Sequence, residues 1–134
     1  MVEDVKLAKE IVVAQKNEVG ILANISKILA DAGINIQSVA GYAVDNGASI
    51  MLVTENNLCA MDVLKKSGYK TVKESEVVVA ELVNKPGALN GFTAKLAAAG
   101  IDIKYTYGSV CPGCPGIIVL STSNNDKVVA LFKK

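Results

Sequence analysis

The chain has 134 residues with fourteen basic and thirteen acidic side chains, a net charge of +1, no Arg and no basic block, so the clustered cations that grip a nucleic-acid backbone are missing and no nucleic-acid partner is expected. Histidine is absent, which removes the commonest general base and metal ligand and argues against hydrolytic or metal-dependent catalysis; no cofactor and no metal are expected. No stretch approaches the ~20 apolar residues of a membrane span, and Met1-Val2-Glu3-Asp4 lacks an apolar signal core, so the expected location is the cytoplasm, without a membrane partner.

In chain order, Glu10-Ile11-Val12-Val13-Ala14 is a β-branched run that predicts a buried strand, followed by a polar turn at Asn17. Ile21, Leu22, Ile25, Ile28, Leu29 and Ala32 then recur at helical spacing, with Asn24, Lys27 and Asp31 on the solvated side and Gly33 at the C-terminus. Ile34 and Ile36 alternate with Asn35 and Gln37, as in a strand with one covered face. Asp45-Asn46-Gly47 predicts a hairpin, Ile50-Met51-Leu52-Val53 the returning strand, and Leu58 to Lys66 a second helix. Tyr69-Lys70-Thr71-Val72-Lys73 reads as a further strand.

From there the pattern restarts. A shift of 67 positions carries Asn17-Glu18-Val19-Gly20-Ile21-Leu22 onto Asn84-Lys85-Pro86-Gly87-Ala88-Leu89, and Gly33-Ile34-Asn35-Ile36 onto Gly100-Ile101-Asp102-Ile103. Val77-Val78-Val79-Ala80 opens the second copy, Gly116-Ile117-Ile118-Val119-Leu120 is its returning strand, and Asp126 to Lys133 its second helix. Two copies are too few, and too long, for a solenoid, and predict two fused small domains. The second copy lacks a counterpart to Tyr69–Lys73, whereas Val5-Lys6 aligns with Val72-Lys73. The expected units are therefore 8–75 and 76–134, the latter completed by an N-terminal strand over 2–7. Each is then βαββαβ, an α+β, ferredoxin-like unit with an antiparallel sheet and both helices on one face.

Strand, Asn-x-Pro-Gly-x-Leu, amphipathic helix and Gly-Ile-Asn-Ile together resemble the ACT domain, a small regulatory module of amino-acid biosynthetic enzymes, and specifically stand-alone tandem ACT proteins. The second copy carries Asn84-Lys85-Pro86-Gly87-Ala88-Leu89 with Gly100-Ile101-Asp102-Ile103; the first has Val19 in place of Pro. The resemblance implies sheets paired side by side and a free amino acid bound in clefts between units, held by the first strand-to-helix turn of one and the start of the second strand of its neighbour. Carried over by position, those parts are Asn17, Glu18, Val19, Gly20, Ile21 and Asn35, and Asn84, Lys85, Pro86, Gly87, Ala88 and Asp102. A family His two residues before the turn Asn is replaced by Gln15 and Leu82. A turn entering a helix N-terminus presents unpaired N–H groups and positive potential to a carboxylate, and Asp102 or an Asn35 carbonyl could accept from an α-ammonium. The competing reading makes Asn17 and Asn84 helix caps and leaves Asn35 and Asp102 solvated.

The copies differ at Tyr105 and Tyr107, which fall on Ser38 and Ala40 and are read either as core on the inward side of a strand or as a ligand's roof. They differ also at Cys111-Pro112-Gly113-Cys114-Pro115-Gly116, a rigid hairpin tip rather than a redox dithiol or half zinc site. A chain without a secretory signal usually keeps its thiols reduced, so no disulfide framework is expected. The leading functional expectation is a non-catalytic sensor that binds an amino acid and passes occupancy to a regulated enzyme or regulator partner. A ligand-free oligomerisation scaffold and a Cys-x-x-Cys redox protein are the alternatives. Unpaired edge strands predict a homodimer.

Overall fold

The computed structural model describes residues 1–133. Ten elements follow in the order β1 (Val2–Lys16), α1 (Ile21–Asp31), β2 (Ile36–Val44), β3 (Gly47–Thr54), α2 (Asn57–Lys66), β4 (Thr71–Leu82), α3 (Ala88–Ala98), β5 (Ile103–Ser109), β6 (Gly116–Thr122) and α4 (Asn125–Leu131). The chain divides into two compact units, residues 9–75 and residues 1–8 with 76 onward.

Within residues 9–75 the strand order is β2-β3-β1-β4, with β1 and β2 both antiparallel to β3. In the other unit it is β1-β4-β6-β5, with β4 and β5 antiparallel to β6. Both are ferredoxin-like α+β arrangements. β1 and β4 each supply a stretch to both units, and the Met1 carbonyl accepts from the Val83 N–H at 2.7 Å. The sequence reading breaks each of these strands into two short runs. Ala8-Lys9 and Glu74-Ser75-Glu76 interrupt the apolar pattern, but neither contains Gly, Pro or a turn signal that would bend extended backbone.

Alternation places Ile11 and Val13 of β1 against the helices, where Ile21, Ile25 and Leu29 of α1 and Ala60 and Leu64 of α2 complete the core. Phe92 and Leu96 of α3 and Val128 of α4 do the same over Val78, Ala80 and Leu120. A fully buried Leu such as Leu29 contributes roughly 1.5–3 kcal/mol over an exposed one. Val2 and Val5 pack against the second core, so the N-terminal stretch supplies side chains as well as backbone.

The hairpin at Asp45-Asn46 is a two-residue loop in which Val44 faces Gly47 and Asp45 takes a φ of 55°. Tyr69 and Lys70 precede β4, and α4 ends at Leu131, short of the expected Lys133. Cys111 and Cys114 form a disulfide, contrary to expectation: the turn brings their Cα atoms to 5.2 Å, inside the range a disulfide spans. Tyr105 and Tyr107 face Ser121 and Val119 across β6, on the sheet face away from the helices, and are half-buried rather than core. A bulge between Ile103 and Tyr105 accompanies this switch from the helix-facing side.

A Thr-x-Asn-Asn corner after β3 and after β6 repeats in detail. Asn57 Oδ1 accepts from the Thr54 hydroxyl at 2.7 Å and amide at 3.2 Å, and Asn125 Oδ1 accepts from the Thr122 hydroxyl at 2.6 Å and amide at 3.1 Å. The Asn57 amide then donates to the Lys9 carbonyl and the Asn125 amide to the Glu76 carbonyl. Each corner ties the start of a helix to the first strand of its own unit.

Candidate functional site

The four helices begin in two ways. Asn56 Oδ1 accepts from the Cys59 N–H at 3.1 Å and Asn124 Oδ1 from the Lys127 N–H at 3.0 Å, so α2 and α4 are capped by side chains. α1 and α3 instead open on Gly20 and Gly87, with φ of 91° and 87°, no side-chain cap and no acidic residue in the first turn. The left-handed backbone is what favours Gly, since a Cβ at either position would meet no atom within 4 Å. At α1 the first-turn amides and the positive end of the helix macrodipole are thereby offered to an outside acceptor, whereas at α3 the Ala88 amide already donates to the Lys85 carbonyl at 3.2 Å. Asn17 and Asn84 are not the caps, and Pro86 stands one residue before the Gly87 that opens α3.

In the unit of residues 9–75 this helix start borders a cleft of about 180 Å³, lined by Gln15, Glu18, Val19, Gly20, Ile21, Asn24 and Tyr69. Gln15 Nε2 donates to Glu18 Oε1 at 3.5 Å, and Asn24 Nδ2 donates to Tyr69 Oη at 2.6 Å. The cleft thus combines a helix N-terminus suited to an anion with the Glu18 carboxylate and the neutral side-chain oxygens of Gln15, Asn24 and Tyr69, suited to a cation. The sequence reading includes four of these residues, Glu18, Val19, Gly20 and Ile21, and misses Gln15, Asn24 and Tyr69. Asn24 reads as solvated because it lies off the apolar stripe. It is one turn after Gly20, however, and that spacing is the signal that could have found it.

The remaining expected residues are dispersed. The Asn17 amide donates to the Asn46 carbonyl at 2.7 Å, tying the turn to the neighbouring hairpin. Asn35 precedes β2 and its amide donates to Glu55 Oε1 at 3.2 Å; neither Asn lines the cleft. In the other unit, Asn84 Nδ2 donates to the Cys111 carbonyl at 3.3 Å, which joins the β4–α3 turn to the disulfide hairpin. Lys85 donates through its amide to Val83 and accepts at its carbonyl from Ala88, which is buried. Asp102 exchanges two bonds with Ser123, its amide donating to the hydroxyl at 3.0 Å and its carbonyl accepting from the amide at 2.9 Å, while its side chain is exposed. Among the described residues no cluster of three or more His, Cys, Asp or Glu could hold a metal ion, and no helix is long and apolar enough to cross a membrane.

Comparison with known proteins agrees with this architecture. A protein BT0572 from Bacteroides thetaiotaomicron superposes with a TM-score of 0.88 at 25% identity, covering 96% of this chain and 88% of that one. The ligand-free regulatory subunit of aspartate kinase from Thermus thermophilus superposes at 0.69 and 14% identity, over 96% and 94%. E. coli aspartokinase III in complex with lysine and aspartate gives 0.55 and 14%, over 96% of this chain and 31% of that one. No curated protein sequence matches the chain. The model of the ACT domain pair matches residues 7–133, and with both ferredoxin-like units in place the chain belongs to the ACT domain pair family.

Proposed function

We propose that this ACT pair is a non-catalytic regulatory module that binds a free amino acid at the β1–α1 turn. The observation that carries the reading is the cleft at the uncapped start of α1, where Glu18 and the helix N-terminus present opposite polarity across one small space. The ligand's carboxylate would take the first-turn amides beyond Gly20, and its ammonium the Glu18 carboxylate, with Gln15 holding that carboxylate in place. Family membership supports the ligand class, and so does the aspartokinase III relative, whose structure contains lysine and aspartate. The equivalent turn at Asn84 to Ala88 is a second candidate, its amide partner at Cys111 already fixed. Occupancy would act on a partner enzyme or regulator by favouring one arrangement of the module over another.

The module is also proposed to be a homodimer. β2 is an edge strand of its unit and exposes Val39, Tyr42 and Val44, apolar side chains of the kind that a second copy would cover. A thermal-shift series with each of the twenty amino acids tests the ligand reading, because a ligand present well above its Kd raises Tm by mass action. At least one amino acid should raise Tm, and Glu18→Gln should reduce that rise. A flat series across all twenty would leave the module as a scaffold.

A further inference from the structure

In the register that puts Val5 on Val72, Val2 takes the place of Tyr69 and Gly91 the place of Asn24. In residues 9–75 that pair is a plug: Tyr69 is buried in the core and Asn24 donates to its hydroxyl at 2.6 Å. In the other unit both members of the pair have shrunk, and both line a cavity of about 390 Å³. Phe92 stands where the first unit has Ile25, and Phe132, in the 68-residue offset that follows the Cys hairpin, where it has Leu64, yet their rings pack on each other at 4.9 Å between centroids and leave the space open. Gly91 has no backbone reason to be Gly. It lies inside α3 at an ordinary φ, where Gly disfavours the helix, and a Cβ on it would meet nothing within 4 Å.

We infer that this cavity is a second ligand site and that it takes an aryl zwitterion, the class of the free aromatic amino acids. The internal copy gives the shape, because what occupies the corresponding space there is an aromatic ring. Phe132, half-buried, supplies the aromatic wall against which such a ring packs, and the fully buried Phe92 holds it from behind. The rim supplies both signs of charge: Lys95, whose Nζ lies 5.3 Å from the Phe132 ring centre, and Lys133 for a carboxylate, with Glu3 and Asp4 for an ammonium. The volume falls within the span of small-molecule pockets, roughly 300–1,000 Å³, and exceeds the ~150 Å³ that holds a benzene ring. This site is separate from the β1–α1 cleft and does not rest on that reading.

Isothermal titration of the intact chain with L-phenylalanine is the test, with L-leucine, phenethylamine and 3-phenylpropionate as analogues lacking the ring, the carboxylate or the ammonium. L-phenylalanine should bind, and each analogue should bind roughly tenfold more weakly or worse. Val2→Tyr combined with Gly91→Asn rebuilds the plug and should abolish binding, while Glu18→Gln leaves it intact. Lys95→Ala, a change at an exposed side chain, should weaken binding by about tenfold and keeps the test decisive if the double variant fails to fold. No binding of L-phenylalanine, or unaltered binding by the rebuilt plug or by Lys95→Ala, overturns the inference. Binding lost on Glu18→Gln instead would assign the aromatic ligand to the turn, overturning this site while leaving the turn reading in place.

Discussion

The two copies agree almost atom for atom at their Thr-x-Asn-Asn corners and part company beside the first helix of each unit. At the corners, Thr54, Asn56 and Asn57 make three bonds that Thr122, Asn124 and Asn125 repeat to within about a tenth of an ångström, and Asn57 adds one from its amide to Glu74 Oε2 at 3.3 Å. Beside α1, Tyr69 and Asn24 fill the corresponding space and leave the cleft of about 180 Å³ at the β1–α1 turn, whereas beside α3 Val2 and Gly91 leave a cavity of about 390 Å³. The agreement falls on bonds that join a helix start to the first strand of each unit. The divergence falls on space and surface charge, which the fold can vary without losing its core. Within one chain, then, the duplication separates what the architecture requires from what a ligand would select.

The largest expected effect comes from breaking the second copy at the stretch it takes from the other end of the chain. Deleting residues 1–8 withdraws Val2 and Val5 from the core and unpairs the edge of β4, and should cost at least about 3 kcal/mol in a urea titration. An unchanged midpoint would mean that residues 76 onward hold their fold unaided. The corners sharpen the comparison next. Asn57→Ala and Asn125→Ala each break two bonds donated by a buried Thr and release a strand carbonyl, so each should cost about 1–3 kcal/mol, and by nearly the same amount. A wide gap between them would break the equivalence on which the comparison stands.

Opposite signs are expected where the copies differ. Tyr69→Phe deletes the acceptor of the Asn24 amide and should destabilise by about 1 kcal/mol. Gly91→Ala fills open space within a helix and should stabilise by roughly 0.5–1 kcal/mol, measured as a rise in Tm. The smallest effect belongs to the exposed Lys66–Asp62 pair at 2.9 Å. The hydrogen bond and charge of Asp62 raise the Lys66 pKa, so the pair's contribution is complete below the ordinary Lys range and fades only as pH climbs through the raised value. Solvent screening leaves that contribution small, and Asp62→Asn should leave Tm at neutral pH unchanged while lowering the Lys66 pKa seen by NMR titration.

Much of the fold was legible because it is written in periodicity. Ile21, Ile25 and Leu29 at helical spacing, the Asp45-Asn46-Gly47 hairpin and the 67-residue register all appear as strand, turn and helix where they were read. Continuity was not legible: polar residues inside β1 and β4 looked like boundaries, because apolar patterning reports burial and not whether backbone remains extended. The corner network was hidden by the same duplication that revealed the fold. The longer Cys hairpin moves Asn124 and Asn125 one place out of the common register, to 68 positions from Asn56 and Asn57. At the candidate cleft, Gly20 announced itself through the motif, whereas Tyr69 and Asn24 meet only through a contact across 45 residues that no local pattern encodes.

Amide-resolved NMR titration with the amino acid that most raises Tm tests the binding account most directly. The account expects the N–H resonances of Gly20, Ile21 and Leu22 to shift together with saturation, along with the side-chain amides of Gln15 and Asn24, and expects Glu18→Gln to weaken the response. Saturating shifts that leave the β1–α1 turn untouched, or no saturating response to any amino acid, would contradict it.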